Sequence, residues 1–175
     1  MPFDILYWNS DSTNIPAQAY LFYLQNMYVN NLLREPDGIS ICGQDIDLAT
    51  VQLPTYCLAA MADHIVLWQA AYRSAKLLGG EVRFVLAESG HVAGVINPAD
   101  SGKYPHWVAS DLPEKPDDWL ALAKQQDGSW WVDWCTWLSD RSGNQQPARA
   151  EVSLAFPALA PAPGDYVKRR LEAVE

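Results

Sequence analysis

The pattern of apolar and polar positions predicts a β-α-β unit at the centre of the chain. Residues 53–61 (LPTYCLAAM) form a short apolar run without polar alternation, which is typical of a strand buried on both faces of a parallel sheet. Residues 66–80 have helical periodicity and end in a glycine pair, and VRFVLAE at 82–88 predicts a second buried strand. We therefore expect an α/β fold with parallel strands and flanking helices.

The segment before this unit predicts one helix and one hairpin. Residues 1–15 are polar and aromatic and are expected to be extended, whereas the periodicity from Pro16 to Leu33 is helical, with the proline at a favoured first position. The apolar face of that helix is formed by Tyr20, Tyr23, Leu24, Met27 and Tyr28. A turn at 36–38 should end it, and residues 38–51 predict two short strands around Gly43.

The segment after this unit is less regular. Residues 97–118 contain four prolines and predict a long loop, while 117–124 and 129–139 predict helices. The second of these helices carries four tryptophans, at positions 130, 131, 134 and 137. Their spacing favours a helix face packed into a core, although an aromatic platform for a polymer or an apolar ligand is an alternative. Beyond Ser142 the Ala- and Pro-rich sequence predicts a tail on the surface.

Each predicted strand of the central unit is followed by a side chain suited to acid–base chemistry. Asp63 follows the first strand and His91 the second, and functional groups in parallel sheets collect beyond the carboxyl ends of strands. The order acid, then histidine, matches that of α/β-hydrolase triads, in which the carboxylate orients the imidazole. Alone, Asp63 could cap the next helix and His91 could be structural; their joint placement favours a catalytic pair.

The other histidines have weaker signals. His64, beside the acid, either lines the site or bonds the backbone. His106 lies in the proline-rich loop, and we expect it to be structural or exposed.

No nucleophile accompanies this pair in the sequence. An elbow of the form G-x-S-x-G or G-x-C-x-G is missing, and the nearest approach, at residues 38–42, ends in Cys42 and is followed by a predicted strand. Cys57 and Cys135 are expected to be core packing. The early strands of such a fold are missing too. We therefore predict the C-terminal portion of an α/β-hydrolase fold, with an incomplete sheet and one unpaired edge.

Composition narrows the function classes. The 175 residues are 49% hydrophobic with a net charge of −9, which supports a packed core and disfavours nucleic-acid binding. No apolar run is long enough to span a bilayer, and Asp4 and Asp11 do not suit a signal peptide. A cytoplasmic protein is the default. Three cysteines without CxxC spacing fit reduced thiols, and no metal site is predicted.

Several longer motifs resemble one family. FDILYWNSDSTNIP, LREPDGISICGQDIDL, RFVLAESGHVAGVINP, GSWWVDW and PAPGDYVK are similar to the C-terminal third of class I poly(3-hydroxyalkanoate) synthases, at similar spacing over essentially the whole chain. The chain departs from the family pattern at Met61-Ala62, Leu67 and Asp165, none of which alters the catalytic pair.

The resemblance implies a specific chemistry. Such synthases transfer the acyl group of (R)-3-hydroxyacyl-CoA to a cysteine thiol and extend a polyester with release of CoA. By position, His91 corresponds to the base that activates the thiol, and Asp63 to the carboxylate that activates the substrate hydroxyl or orients the histidine. His64 and Asn97, which lie in or beside the matched motifs, are implied substrate-pocket residues. No metal or resident cofactor belongs to this chemistry, since the CoA thioester is a substrate.

The resemblance also implies a domain organisation and partners. Residues 1–38 match the end of a lid region that contributes to dimer contacts, 39–142 the C-terminal half of the catalytic domain, and 143–175 a tail. Expected partners are hydroxyacyl-CoA, the growing polyester, a second subunit and the surface of a cytoplasmic polyester granule. Met1 lies inside the matched span, which suggests a truncated fragment that is inactive alone. Two alternatives are a non-catalytic module that binds the granule or the synthase, and part of another α/β-hydrolase-fold ester or thioester hydrolase.

Overall fold

The computed structural model describes residues 10, 13–96, 98–148 and 155–165. Residues 18–143 form one compact unit, and the described residues on either side of that range belong to another. The described part of the second unit is mostly exposed and contains a turn in which Gly164 donates its N–H to Pro161 O (2.9 Å). This agrees with the predicted surface tail. The boundaries predicted at 38 and 142 stay predictions.

The described residues contain six strands in two sheets. Strands β1 (Ile39–Ile41) and β2 (Gln44–Ile46) make the predicted hairpin, which Cys42 and Gly43 close with positive φ angles of 51° and 75°. The larger sheet has the order β3-β4-β5-β6, with β3 (Thr55–Ala60), β4 (Val82–Ala87), β5 (His106–Val108) and β6 (Lys124–Gln126).

The larger sheet is mixed. β3 and β4 pair in parallel, with Thr55 opposite Val82 and Ala60 opposite Ala87, so the predicted parallel pair is confirmed. β5 and β6 are antiparallel, and the expectation of parallel strands throughout is wrong for this half. β5 lies inside the region predicted as a loop, and β6 (Lys-Gln-Gln) is exposed along its length. β6 therefore has no apolar pattern from which its pairing with β5 could be predicted.

In the part of the chain that the structure describes, five α-helices flank or precede this sheet. They are α1 (Ala17–Phe22), α2 (Trp68–Ala75), α3 (Ala93–Ile96), α4 (Pro116–Leu122) and α5 (Trp130–Ser142). The glycine pair lies beyond the end of α2, where a Cβ on Gly79 would fall 1.9 Å from Ala49 O. The predicted helix 66–80 is therefore too long, because these glycines serve a close backbone contact and not the helix end.

The helix predicted from Pro16 to Leu33 is not continuous. α1 passes into a π-helical segment at Tyr23–Val29, and a 3-10 turn follows at Leu32–Arg34 after Asn31 adopts a left-handed conformation. Three residues of its predicted apolar face, Tyr20, Tyr23 and Tyr28, are 50–76% exposed. Leu24 and Met27 are partly buried, so the described residues cover only part of that face.

The core lies on both faces of β4. Phe84 and Leu86 point to one face and pack with Trp68 and Tyr72 of α2 and Trp119 of α4. Val85 and Ala87 point to the other face, where the tryptophans of α5 and Val95 of α3 pack. Helices on both faces of a central strand make an α/β arrangement. Trp130 is 9% exposed and Trp131, Trp134 and Trp137 are partly buried, which supports the packing interpretation over an open platform.

A partly buried ion pair attaches α5 to the sheet. Asp133 accepts hydrogen bonds from Nε and Nη2 of Arg83 and from the hydroxyl of Tyr56 (2.9 Å). Burial alone would raise the pKa of Asp133, but these hydrogen bonds outweigh it and lower that pKa. Burial, followed by the Asp133 charge, raises the pKa of Tyr56. Tyr56 and Arg83 lie on neighbouring strands, so one carboxylate ties the helix to both.

The two cysteines expected in the core differ in burial. Cys135 is exposed, so its assignment to the core is wrong, whereas Cys57 is partly buried against the α2 face as expected. Within the described residues, no helix combines the length and the apolar character needed to cross a bilayer.

Candidate active site

The loops after β3 and β4 are joined beyond the strand ends. Met61 donates its N–H to Ala87 O (2.8 Å), and Ala62 donates its N–H to Ser89 O (2.9 Å), so parallel pairing continues past the strands. Ser89 then takes a positive φ of 77° and turns the chain before Gly90 and His91. This arrangement brings the two loops side by side.

Asp63 and His91 meet at this point. The Asp63 Oδ2 to His91 Nδ1 distance is 2.8 Å, which is a hydrogen bond between the predicted acid and the predicted base. The Asp63 side chain is 9% exposed and that of His91 is 45% exposed. The carboxylate is therefore shielded, while the imidazole is open to a reactant.

The second carboxylate oxygen of Asp63 is held by the backbone. Oδ1 accepts the N–H groups of Ile65 (2.8 Å) and Val66 (2.9 Å), which fixes the plane of the carboxylate. The next helix starts later, at Trp68, and the Leu67 N-cap makes no side-chain capping bond. Asp63 consequently caps a turn with one oxygen and holds His91 with the other.

These contacts set the ionisation of the acid. The hydrogen bond from His91, followed by that from Val66, lowers the pKa of Asp63 from 3.8 to about 2. A carboxylate that stays ionised can fix an imidazole in one tautomer with Nδ1 toward the acid and can stabilise the imidazolium. The other ring nitrogen, Nε2, has no partner among the described residues, so it is available to take a proton from a nucleophile.

An apolar rim follows the pair along the chain. It consists of exposed side chains within five positions of Asp63 or His91, with exposures of 41–64%: Ile65, Val66, Leu67, Val92 and Ile96. Exposed apolar groups concentrated beside an acid–base pair mark a surface that binds a ligand or another polypeptide segment.

The remaining candidates are placed differently. His64 is exposed and has no hydrogen-bond partner among the described residues, so its substrate-pocket role stays a prediction. Asn97 lies outside the described residues. His106 is 4% exposed with Nδ1 3.0 Å from Gly128 O, which confirms the structural role expected for it.

Four cavities of about 440–660 Å³ lie away from the pair. They surround Arg83, Trp137 and the α2 surface, and neither Asp63 nor His91 lines any of these four. In the part of the chain that the structure describes, no cluster of three or more histidine, cysteine, aspartate or glutamate side chains is arranged to bind a metal ion. The acid–base pair is thus the best-defined chemical site.

Two contacts near this site could not be predicted from the sequence. Trp130 and Trp131 both donate their indole N–H groups to Val95 O, on the helix that follows His91. Val95 lies 35 positions before Trp130 and 36 before Trp131 in the sequence. The adjacent tryptophans were the only feature of the sequence that pointed to these contacts.

The chain thus defines an α/β protein with a carboxylate–imidazole pair beyond two parallel strands. No family model matches it. It is 47% identical over 171 residues to the poly(3-hydroxyalkanoate) polymerase subunit PhaC of Cupriavidus necator and 46% identical over 169 residues to poly(3-hydroxyalkanoate) polymerase 2 of Ectopseudomonas oleovorans. A third relative, the PhaC subunit of Rhizobium etli, is 39% identical over 170 residues.

These matches cover 96–97% of this chain but only 27–30% of each relative. The chain is a relative of the poly(3-hydroxyalkanoate) polymerases over nearly its whole length, and the resemblance predicted from its motifs is confirmed. It spans less than a third of the length of the curated relatives it matches.

Proposed function

We propose that this chain is the segment of a poly(3-hydroxyalkanoate) synthase that supplies the acid and base of a Cys-Asp-His triad on an α/β-hydrolase fold. The observation that carries the proposal is the 2.8 Å contact between Asp63 and His91 in a chain related to these polymerases. The parent reaction would polymerise (R)-3-hydroxyacyl-CoA into a polyester. The thiol nucleophile would come from residues outside these 175.

Each group has one role in the proposed reaction. His91 Nε2 takes the proton of the cysteine thiol, the thiolate attacks the thioester carbonyl, and CoA leaves as its thiol with that proton. The hydroxyl of a second hydroxyacyl unit then gives its proton to His91 and attacks the acyl group on the cysteine, so that an ester bond forms as the acyl–sulfur bond breaks. The cysteine leaves as its thiol with the proton that His91 returns. Asp63 holds the ring and stabilises its protonated form throughout. No metal or resident cofactor enters these steps.

The surroundings of the pair support a polyester product. The rim of Ile65, Val66, Leu67, Val92 and Ile96 gives acyl chains an apolar surface. The exposed aromatics of the α1 region, within the predicted lid segment, fit a contact with a second subunit or with the granule surface. We include the homodimer, the granule and a cytoplasmic location in the proposal.

The test replaces the matched segment of the Cupriavidus necator polymerase with this chain. The chimera should release CoA from (R)-3-hydroxybutyryl-CoA and form polymer. Asp63→Asn and His91→Gln should each lower turnover by about 1,000-fold or more. Asp45→Asn, on the exposed hairpin, is the matched control and should leave turnover unchanged.

Other outcomes separate the alternatives. Hydrolysis of the thioester without polymer would indicate another ester or thioester hydrolase. An inactive chimera, together with binding of the isolated chain to polyester granules, would indicate a non-catalytic module.

A further inference from the structure

Two tryptophans at the start of α5 converge on one backbone oxygen. The indole Nε1 of Trp130 lies 3.1 Å and that of Trp131 3.0 Å from Val95 O. The two rings stack with centroids 4.9 Å apart and planes tilted by 30°. Ser129, which is 2% exposed, caps the helix by accepting the N–H of Trp131. The ring stacking and the Ser129 cap therefore hold both indole N–H donors in position to bond Val95 O.

The carbonyl belongs to the helix that follows the predicted base. α3 has only four residues, and a helix of that length has no stability of its own. Gly94 donates its N–H to Gly90 O (3.0 Å) and Ile96 donates to Val92 O (3.0 Å), so the turn of His91 and α3 are one hydrogen-bonded segment. A shift of α3 would move the backbone of His91 with it.

The other contacts of His91 and α3 do not fix the position of this segment by themselves. The His91 side chain is 45% exposed, and its one hydrogen bond within the described residues is to Asp63. Val95 packs in the cluster formed by Val85, Ala87 and Trp130, but apolar packing is not directional. Two N–H groups that donate to one carbonyl oxygen do fix the orientation of that carbonyl, because hydrogen bonds are directional.

We infer that Trp130 and Trp131 are positioning residues for His91, which hold α3 so that the imidazole stays in hydrogen-bonding contact with Asp63. Neither indole hydrogen-bonds to the catalytic pair among the described residues, and each acts through Val95. The effect on the pair can be measured in this chain alone, whereas its consequence for turnover rests on the proposed function.

The competing explanation is that the tryptophans only pack the core. Trp134 offers a matched control, because it lies on the same helix and touches both rings, with centroids 6.2 Å from Trp130 and 5.7 Å from Trp131. Its indole makes no hydrogen bond to α3 in the described structure. Trp134→Phe therefore changes packing and removes an indole N–H without releasing Val95.

The first experiment follows the Asp63 carboxyl by NMR titration in Trp130→Phe/Trp131→Phe and in Trp134→Phe. The hydrogen bond from His91 is the largest cause that lowers the pKa of Asp63 to about 2. Releasing α3 should move that pKa upward toward 3.8 in the double variant and not in Trp134→Phe. An unchanged Asp63 titration in a folded double variant would overturn the inference.

A second variant guards against loss of folding. Replacing Trp131 with benzothienylalanine keeps the ring shape and removes only the N–H donor. It should produce a smaller upward shift of the Asp63 pKa, in the same direction. No shift from this replacement and none from the double variant would leave packing as the role of both tryptophans.

The second experiment measures turnover in the chimeric polymerase. The double variant should lower kcat by about 10- to 100-fold with little change in KM, as expected for a misplaced catalytic group. Trp134→Phe should retain the kcat of the parent chimera. An inactive parent chimera would count against the proposed function alone, since the NMR result on the isolated chain still decides the positioning role.

Discussion

Asp63 divides its two oxygens between local structure and chemistry. One oxygen accepts two backbone N–H groups of the following turn, and the other contacts His91. A carboxylate with three hydrogen bonds is stabilised in its charged form. The turn therefore does more than shape the loop, because it keeps the acid ionised and its plane fixed toward the imidazole.

This arrangement predicts a pH dependence of stability. The pKa of Asp63 is about 2 in the folded chain against an ordinary 3.8, so as the pH falls the unfolded chain binds the proton first. The stabilisation by Asp63 is complete above about pH 4 and is lost as the pH falls toward about 2. Over this range the parent should lose more free energy of unfolding than Asp63→Asn does.

Denaturant unfolding at several pH values between about 5 and 2 measures this difference. His91→Ala should show an intermediate dependence, since it removes the largest cause of the shift and leaves the backbone bonds in place. Parallel pH profiles for the parent and Asp63→Asn would contradict the assignment.

At the scale of elements, the sequence predicted the strands that buried side chains stabilise and missed the strand that backbone hydrogen bonds hold. β3 and β4 lie between two helical layers, so their sequences are mostly apolar and their positions before Asp63 and His91 could be predicted. β6 is held by backbone hydrogen bonds to β5 and has no buried side chain. The contact between the tryptophans and Val95 depends on packing between distant segments, which a single sequence does not reveal.

The short helix α3 provides an element-scale prediction. A Cβ on Gly94 would lie 2.5 Å from Glu88 O and 3.3 Å from the Cβ of Ala60, so Gly94→Ala must displace α3 from the strand ends. We expect it to lower the free energy of unfolding by about 1–3 kcal/mol, the usual cost of overpacking. Denaturant unfolding measures this cost.

Gly90→Ala is the matched control for this substitution. A Cβ on Gly90 would meet Ala62 O at 3.6 Å, an ordinary contact. Equal destabilisation by Gly94→Ala and Gly90→Ala would show that the close approach of α3 to the strand ends is not the reason why position 94 needs glycine.

At the scale of the whole molecule, the edge of the larger sheet beside the catalytic pair is unpaired among the described residues. β3 forms this edge, and β6 forms the other. Thr55 and Met61 donate their N–H groups toward β4, to Glu81 O and Ala87 O. Because donors alternate along a strand, the N–H groups of Tyr56 and Leu58 point to the free edge, while those of Cys57 and Ala59 point to β4.

This alternation makes the free edge measurable by amide hydrogen exchange. In dilute solutions of the isolated chain, Tyr56 and Leu58 should exchange faster than Cys57 and Ala59, which serve as internal controls on the same strand. Addition of a Cupriavidus necator polymerase that lacks the matched segment should slow Tyr56 and Leu58 selectively, if a strand of that protein pairs with β3. Slowing that depends only on the concentration of this chain would instead indicate pairing between two copies, the association that an open edge invites. Equal protection of all four amides in a dilute monomer that unfolds cooperatively would contradict a free edge.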